Sequence, residues 1–169
     1  MIHVCSLARL YNTVNDTRAT HIVTLLKTVD RVQRPVHILA DNHLILGMDD
    51  IAEEAEGFVH PSDLHITDLV AFAGRWDRKA PMVVHCYAGI SRSTAAAFVT
   101  ACVLNPGRSE RAIARAIRDA SPTASPNRRI VALADRTLKR NGRMIEAVEA
   151  IGLGHAAPEG HPFRLDLDP

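Results

Sequence analysis

Met82-Val83-Val84-His85-Cys86-Tyr87-Ala88-Gly89-Ile90-Ser91-Arg92-Ser93-Thr94-Ala95-Ala96 is the stretch on which the fold turns. Pro81 opens a short apolar run, Met82 to His85, of the kind found in parallel strands buried on both faces. From Ser93 to about Leu104 the residues are small or apolar and helix-forming, until Asn105-Pro106-Gly107 breaks the run. A tight loop joins the two. A helix N-terminus presents unpaired N–H groups and a partial positive charge, so strand–loop–helix is a natural seat for an anion. Gly89 permits a backbone conformation that other residues resist, which lets successive N–H groups converge. Arg92 can place two donors on two phosphate oxygens. Cys86 sits where these amides, the helix dipole and the guanidinium all favour a thiolate, and a thiolate facing a bound phosphate is a nucleophile aimed at phosphorus.

Outward from this unit, residues 2–5 and 21–26 predict strands, as do 36–39 and 43–46, which the turn-forming Asp41-Asn42 separates. Residues 12–19 are polar and turn-like. Pro61 suits a first helical position with Asp63 in the first turn, and Leu64, Leu69, Val70, Phe72 and Ala73 carry that helix to about Trp76. Helices are expected over 109–119, 127–140 and 143–151. The tail from Gly152 has glycine, proline and little periodicity, and is expected on the surface. Strands alternating with helices, then a helical second half, predict an α/β fold: a central, mostly parallel sheet of about four or five strands flanked by helices. No internal repeat or linker is evident, so residues 1–169 are expected to form one domain.

Composition narrows the function by exclusion. A formal net charge of +1 argues against nucleic acid and membrane as partners. No stretch approaches the ~20 apolar residues of a membrane span, and the N-terminus carries no secretory pattern, so a cytoplasmic location is expected. Cys5, Cys86 and Cys102 form no CxxC pair, which argues against structural zinc and thioredoxin-type chemistry. Nine histidines lack an HExxH arrangement, and His60 and His65 are off one helical face, so neither metal nor other cofactor is expected.

His-Cys-x5-Arg-Ser, with glycine third after the cysteine, resembles the signature of the protein tyrosine phosphatase superfamily, and the chain is similar to its dual-specificity-like bacterial members. The resemblance implies a phosphotyrosine phosphatase-like fold, with Cys86 as the nucleophile that forms a phosphocysteine. It implies that Tyr87, Ala88, Gly89, Ile90, Ser91 and Arg92 bind the phosphate, with Arg92 also stabilising the transition state. Ser93 would donate a hydrogen bond to the cysteine sulfur, and His85, pointing away by strand alternation, would order the loop.

Leaving-group expulsion is easier when a side chain protonates the departing oxygen. In the superfamily this is an aspartate upstream of the nucleophile. Leu44-Ile45-Leu46-Gly47-Met48-Asp49-Asp50-Ile51 looks like that acid loop, with Asp50 the first choice and Asp49 the alternative. Its separation from Cys86 is longer than usual, a difference that Glu53-Glu54-Ala55-Glu56-Gly57 would absorb as a loop. Asp63 and Asp68 fall within a predicted helix. Trp76-Asp77 stands too close to Cys86 and lacks the proline of the larger enzymes' acid loop. Ser121-Pro122-Thr123-Ala124-Ser125-Pro126-Asn127 resembles a helix connection of the bacterial members, with Asn127 read as a helix cap.

Arg108, Arg111, Arg115 and Arg118 make one helix face basic, favouring a solvated face over substrate steering. Cys5 reads as packing, with a redox pairing to Cys86 as the alternative, and Cys102 as packing. These readings predict a phosphate monoester hydrolase acting on phosphorylated proteins ahead of small phosphate monoesters. Phosphotyrosine versus phosphoserine or phosphothreonine is left open. The competing classes are a phosphate-binding module with little turnover and a rhodanese-like sulfurtransferase.

Overall fold

The computed structural model describes residues 1–28 and 32–167. Five strands form one sheet: β1 (Ile2–Ser6), β2 (His21–Leu25), β3 (His43–Leu46), β4 (Met82–Cys86) and β5 (Phe163–Leu165). Their order is β3-β2-β4-β1-β5, with β1 to β4 parallel and β5 antiparallel on the edge of β1. The six α-helices are α1 (Leu10–Thr17), α2 (Asp63–Arg75), α3 (Arg92–Leu104), α4 (Glu110–Ala120), α5 (Arg128–Thr137) and α6 (Arg143–Ile151). The α/β class and the mostly parallel sheet are as expected from the sequence. No helix among the described residues is long and apolar enough to cross a membrane.

β4 is central, and all five of its residues are buried. Alternation divides them between the faces: Met82, Val84 and Cys86 join the larger core with Ile2, Val4 and Phe98, while Val83 packs with Cys5, Leu10, Val14 and Ile22 opposite. α3 lies on the first face, and every residue from Arg92 to Cys102 is buried. Ala95, Ala96 and Ala97 let it approach the sheet closely while α2, α4 and α5 pack around it. α1 covers the second face.

Several local expectations are corrected. Residues 12–19 are not a turn but belong mostly to α1, because Leu10 and Val14, four apart, bury one face while Asn12, Asn15 and Asp16 stay exposed. Residues 36–39 form a turn rather than a strand: the Ile38 N–H donates to Pro35 O at 3.0 Å, only Ile38 is buried, and Val36 is fully exposed. Pro61 precedes α2 instead of opening it. Ser62 is the N-cap, its N–H donating to His65 Nδ1 at 3.1 Å, and the buried stripe is Ile66, Leu69, Phe72 and Ala73, with Leu64 exposed. α5 ends at Thr137, short of residue 140, and the Asp135 carboxylate caps the next helix by accepting from the Gly142 and Met144 N–H groups.

The tail is not confined to the surface. Phe163, Leu165 and Leu167 are buried, and β5 pairs with β1 through Ile2↔Leu165 and Val4↔Phe163. The preceding segment is stitched along its length: the Gly154 N–H donates to Ser125 Oγ, the His155 N–H to Pro122 O and the Gly160 N–H to Ala88 O.

Candidate active site

β4 ends at Cys86 and α3 begins at Arg92, so residues 87–91 form the loop. Four of its five carbonyls are turned outward and held there. Tyr87 O accepts from the Leu7 N–H at 3.1 Å, Ala88 O from Gly160 at 2.9 Å, Ile90 O from Ser125 at 3.0 Å and Ser91 O from Asn127 at 3.3 Å. In a planar trans peptide the next N–H points opposite to the carbonyl. The N–H groups of Ala88, Gly89 and Ser91 therefore face the loop interior, and among the described residues none of them donates a hydrogen bond. Gly89 has φ +73°, and a Cβ there would stand 2.8 Å from both Cys5 C and Ser6 N. Only glycine meets both demands.

The Cys86 side chain is buried, with Sγ 3.1 Å from Ser93 Oγ. Arg92, 8% exposed, is oriented by donation from Nη1 to Met48 O at 2.9 Å. Its Nε is buried without a hydrogen-bond partner and lies 3.8 Å from Asp50 Oδ2. Inward amides and an unsatisfied guanidinium N–H, on a loop that starts at a buried thiol, are groups that can together seat an anion.

His85 points to the opposite face, where Nε2 is 2.8 Å from Thr24 Oγ1, itself 2.8 Å from His43 Nε2. Burial pushes the His85 imidazole down to about 4, outweighing an opposing contact with the Cys86 main chain, so the ring is neutral. Its Nδ1 makes no hydrogen bond of good geometry. The chain of two imidazoles and a hydroxyl ties β4 to β2 and β3 on the face opposite Cys86.

Asp49 and Asp50 are adjacent but engaged differently. Asp49 Oδ2 accepts from the Val59 N–H at 2.8 Å and pairs with Lys27 Nζ at 3.1 Å. Desolvation pushes this carboxyl up, but the Val59 N–H, Lys27 and Arg92 together outweigh it and hold Asp49 below the usual carboxylate range. Lys27 also donates to Gly57 O and lies 5.0 Å over the Phe58 ring, so this ion pair pins the acidic insertion. Asp50 faces the loop between β4 and α3: Oδ1 accepts from Ser91 Oγ at 2.7 Å and Asn127 Nδ2 at 2.8 Å. Leu7, Lys27, Asp49, Asp50, Tyr87 and Arg92 are among the residues lining a cavity of about 310 Å³. Tyr87 is 64% exposed at its mouth. A larger groove of about 640 Å³ runs between residues 52–63 and α5, but neither Asp50 nor Arg92 lines it, and its Arg129–Glu54 and Arg136–Asp63 pairs neutralise one another.

The remaining candidates fall elsewhere. Asp63 pairs with Arg136, and Asp77 accepts from the Lys79 N–H. Cys5 neighbours β4, with its Cα opposite His85, but its side chain packs on the other face of the sheet from Cys86. Burial pushes its thiol up to about 12, and that of Cys102 likewise. The basic row of α4 is used structurally where it is bonded: Arg111 pairs with Glu146, and Arg118 donates to Pro122 O and Gly152 O. Two contributors were not legible beforehand: the carboxylate-facing amide of Asn127 and the tail at Gly160. Among the described residues no cluster of three or more His, Cys, Asp or Glu could hold a metal ion.

No family model and no curated protein matches the chain. Solved structures do. DUSP15 is similar over 89% of this chain and 89% of its own, with TM-score 0.62 at 18% identity. The Cydia pomonella PTP-2 phosphatase matches over 80% of this chain and 84% of its own, with TM-score 0.62 at 16% identity. The Yvh1 phosphatase domain from Chaetomium thermophilum covers 85% of this chain and 93% of its own, with TM-score 0.56 at 20% identity. With its five-stranded sheet, flanking helices and outward-braced loop between β4 and α3, the chain has the fold of the dual-specificity and tyrosine phosphatases.

Proposed function

We propose that the protein is a phosphate monoester hydrolase, a protein tyrosine or dual-specificity phosphatase working through a phosphocysteine. The observation that carries this reading is a buried Cys86 thiol, 3.1 Å from Ser93 Oγ, at the start of a loop whose carbonyls are held outward and which ends at Arg92 with an unsatisfied Nε. In the first step the Cys86 thiolate attacks phosphorus, the bond from phosphorus to the leaving oxygen breaks, and Asp50 passes its proton to that oxygen. In the second, water attacks phosphorus, its proton returns to Asp50, and the S–P bond breaks with the sulfur accepting a hydrogen bond from Ser93. The loop amides and Arg92 bear the charge of the equatorial oxygens in both steps.

Asp50 is assigned over Asp49 because Asp49 is already committed to Lys27 and Val59 and held ionised. Phosphorylated proteins are the preferred substrates, since residues 87–91 contain no lysine to recruit a more highly charged phosphate ester. Hydrolysis of an aryl phosphate by the wild type, abolished in Cys86→Ser, tests the assignment. pH–rate profiles of Asp49→Asn and Asp50→Asn test the acid: only Asp50→Asn is expected to lose the alkaline limb. Retention of that limb in Asp50→Asn refutes the choice.

A further inference from the structure

α5 is capped by Asn127, which is 6% exposed and whose side chain is bonded on both sides. Oδ1 accepts from the Arg129 and Ile130 N–H groups, each at 3.1 Å, capping the helix. An amide whose oxygen is held by two main-chain donors must present its NH₂ on the opposite side. That group donates to Asp50 Oδ1 at 2.8 Å and to Ile51 O at 3.3 Å. The residue's own N–H donates to Ser91 O in the phosphate loop. One side chain thus registers the start of α5, the carboxylate and the main chain that follows it, while its backbone holds the loop. The other charged groups near Asp50 are Arg92 from α3, Asp49 with its partner Lys27, and the Arg129–Glu54 pair.

We propose that Asn127 is a positioning residue for the general acid: the helix cap locks its amide, and its Nδ2, alongside the Ser91 hydroxyl at 2.7 Å, holds Asp50 Oδ1 so that Oδ2, on the Arg92 side, meets the leaving oxygen. This role rests on the hydrolase reading above. Capping alone does not require asparagine, because serine and aspartate cap equally well. What serine lacks is an NH₂ one bond further out that can reach Asp50 while the capping oxygen stays engaged, and aspartate sets a second carboxylate against Asp50.

The test separates cap from donor. Wild type, Asn127→Ser, Asn127→Asp, Asp50→Asn and the double variant Asn127→Ser/Asp50→Asn are assayed on aryl phosphates whose leaving phenols range from nitro-substituted to unsubstituted. Protonation matters most for the more basic leaving group. Misplacing the acid should therefore lower kcat roughly ten- to hundred-fold on phenyl phosphate and barely on the nitrophenyl ester. Asn127→Asp should lose at least as much, both variants should melt close to the wild type, and Asn127→Ser should add nothing to Asp50→Asn. A loss uniform across the series, an additive loss on Asp50→Asn, or wild-type kinetics in Asn127→Ser and Asn127→Asp would each overturn the positioning role alone. An inert wild type, or activity surviving in Cys86→Ser, would overturn the hydrolase reading and this role with it.

Discussion

Replacing Gly89 with alanine tests whether the loop is held in its inward-amide form by the main chain behind it. At φ +73° an alanine costs about 1–2 kcal/mol in backbone strain. Its Cβ would lie 2.8 Å from Cys5 C and Ser6 N and 3.0 Å from Cys5 O. These are main-chain atoms of β1, paired with β4 on one side and β5 on the other, so they cannot swing aside as a side-chain tip would. Overpacking of this kind typically costs about 1–3 kcal/mol more, so about 2–5 kcal/mol is expected in total. If the loop relieves the clash by flipping, the stability loss shrinks but the amides turn from the sulfur, and kcat/KM falls instead. Urea unfolding at constant m-value and aryl phosphate hydrolysis are read together. Gly74→Ala is the control: a Cβ there meets nothing within 4 Å, and within α2 it should stabilise by about 0.5–1 kcal/mol. A Gly89→Ala protein as stable as the wild type, with kcat/KM unchanged, would refute the argument.

Other outcomes follow from the same geometry. His85 is neutral when folded down to about pH 4, whereas an unfolded histidine protonates near pH 6.5. Between those values the unfolded chain binds the extra proton, so stability should fall as pH drops, by up to about 3 kcal/mol from this residue. Urea midpoints should show a shallower pH dependence in His85→Asn, and an unchanged slope would count against it. Ser93→Ala should slow the second step more than the first, giving a burst of phenol release followed by a slow steady state; a proportionate slowing with no burst would remove Ser93 from sulfur departure. Asp49→Asn should release residues 52–59, raising their amide exchange, and its stability deficit should vanish as pH falls through the acid range, because the Asp49 carboxyl is held low only when folded. A deficit that persists after Asp49 is protonated would contradict that account.

The loop between β4 and α3 was legible because its determinants are local: an apolar run, one glycine, one arginine and a helix start lie within a dozen or so residues. β1 to β4 were legible apart from their ends, and 36–39 was misread because the apolar letters of Val36 and Leu39 conceal exposed turn positions. α1 was masked by its polar residues, although Leu10 and Val14 carried the helical spacing. The tail held a readable alternation as well, with Phe163, Leu165 and Leu167 inward and Arg164 and Asp166 outward. What could not be read was pairing across the chain. Asp49 and Asp50 differ only through Lys27, Val59, Ser91 and Asn127, and the second function of Asn127 depends on a carboxylate 77 positions away. The opposite facing of Cys5 and Cys86 depended on the register of β1 against β4.

The loop around Cys86 is shaped from outside. Its carbonyls are gripped by Leu7 after β1, Ser125 and Asn127 before α5, and Gly160 ahead of β5, segments drawn from both ends and the middle of the polypeptide. A nascent or partly melted chain lacks some of these grips, so its thiol is an ordinary cysteine with no anion seat beside it. Competence for the proposed hydrolysis would then arrive only as the last segments dock, and gentle heating should abolish it by loosening residues 154–160 before the central strands part.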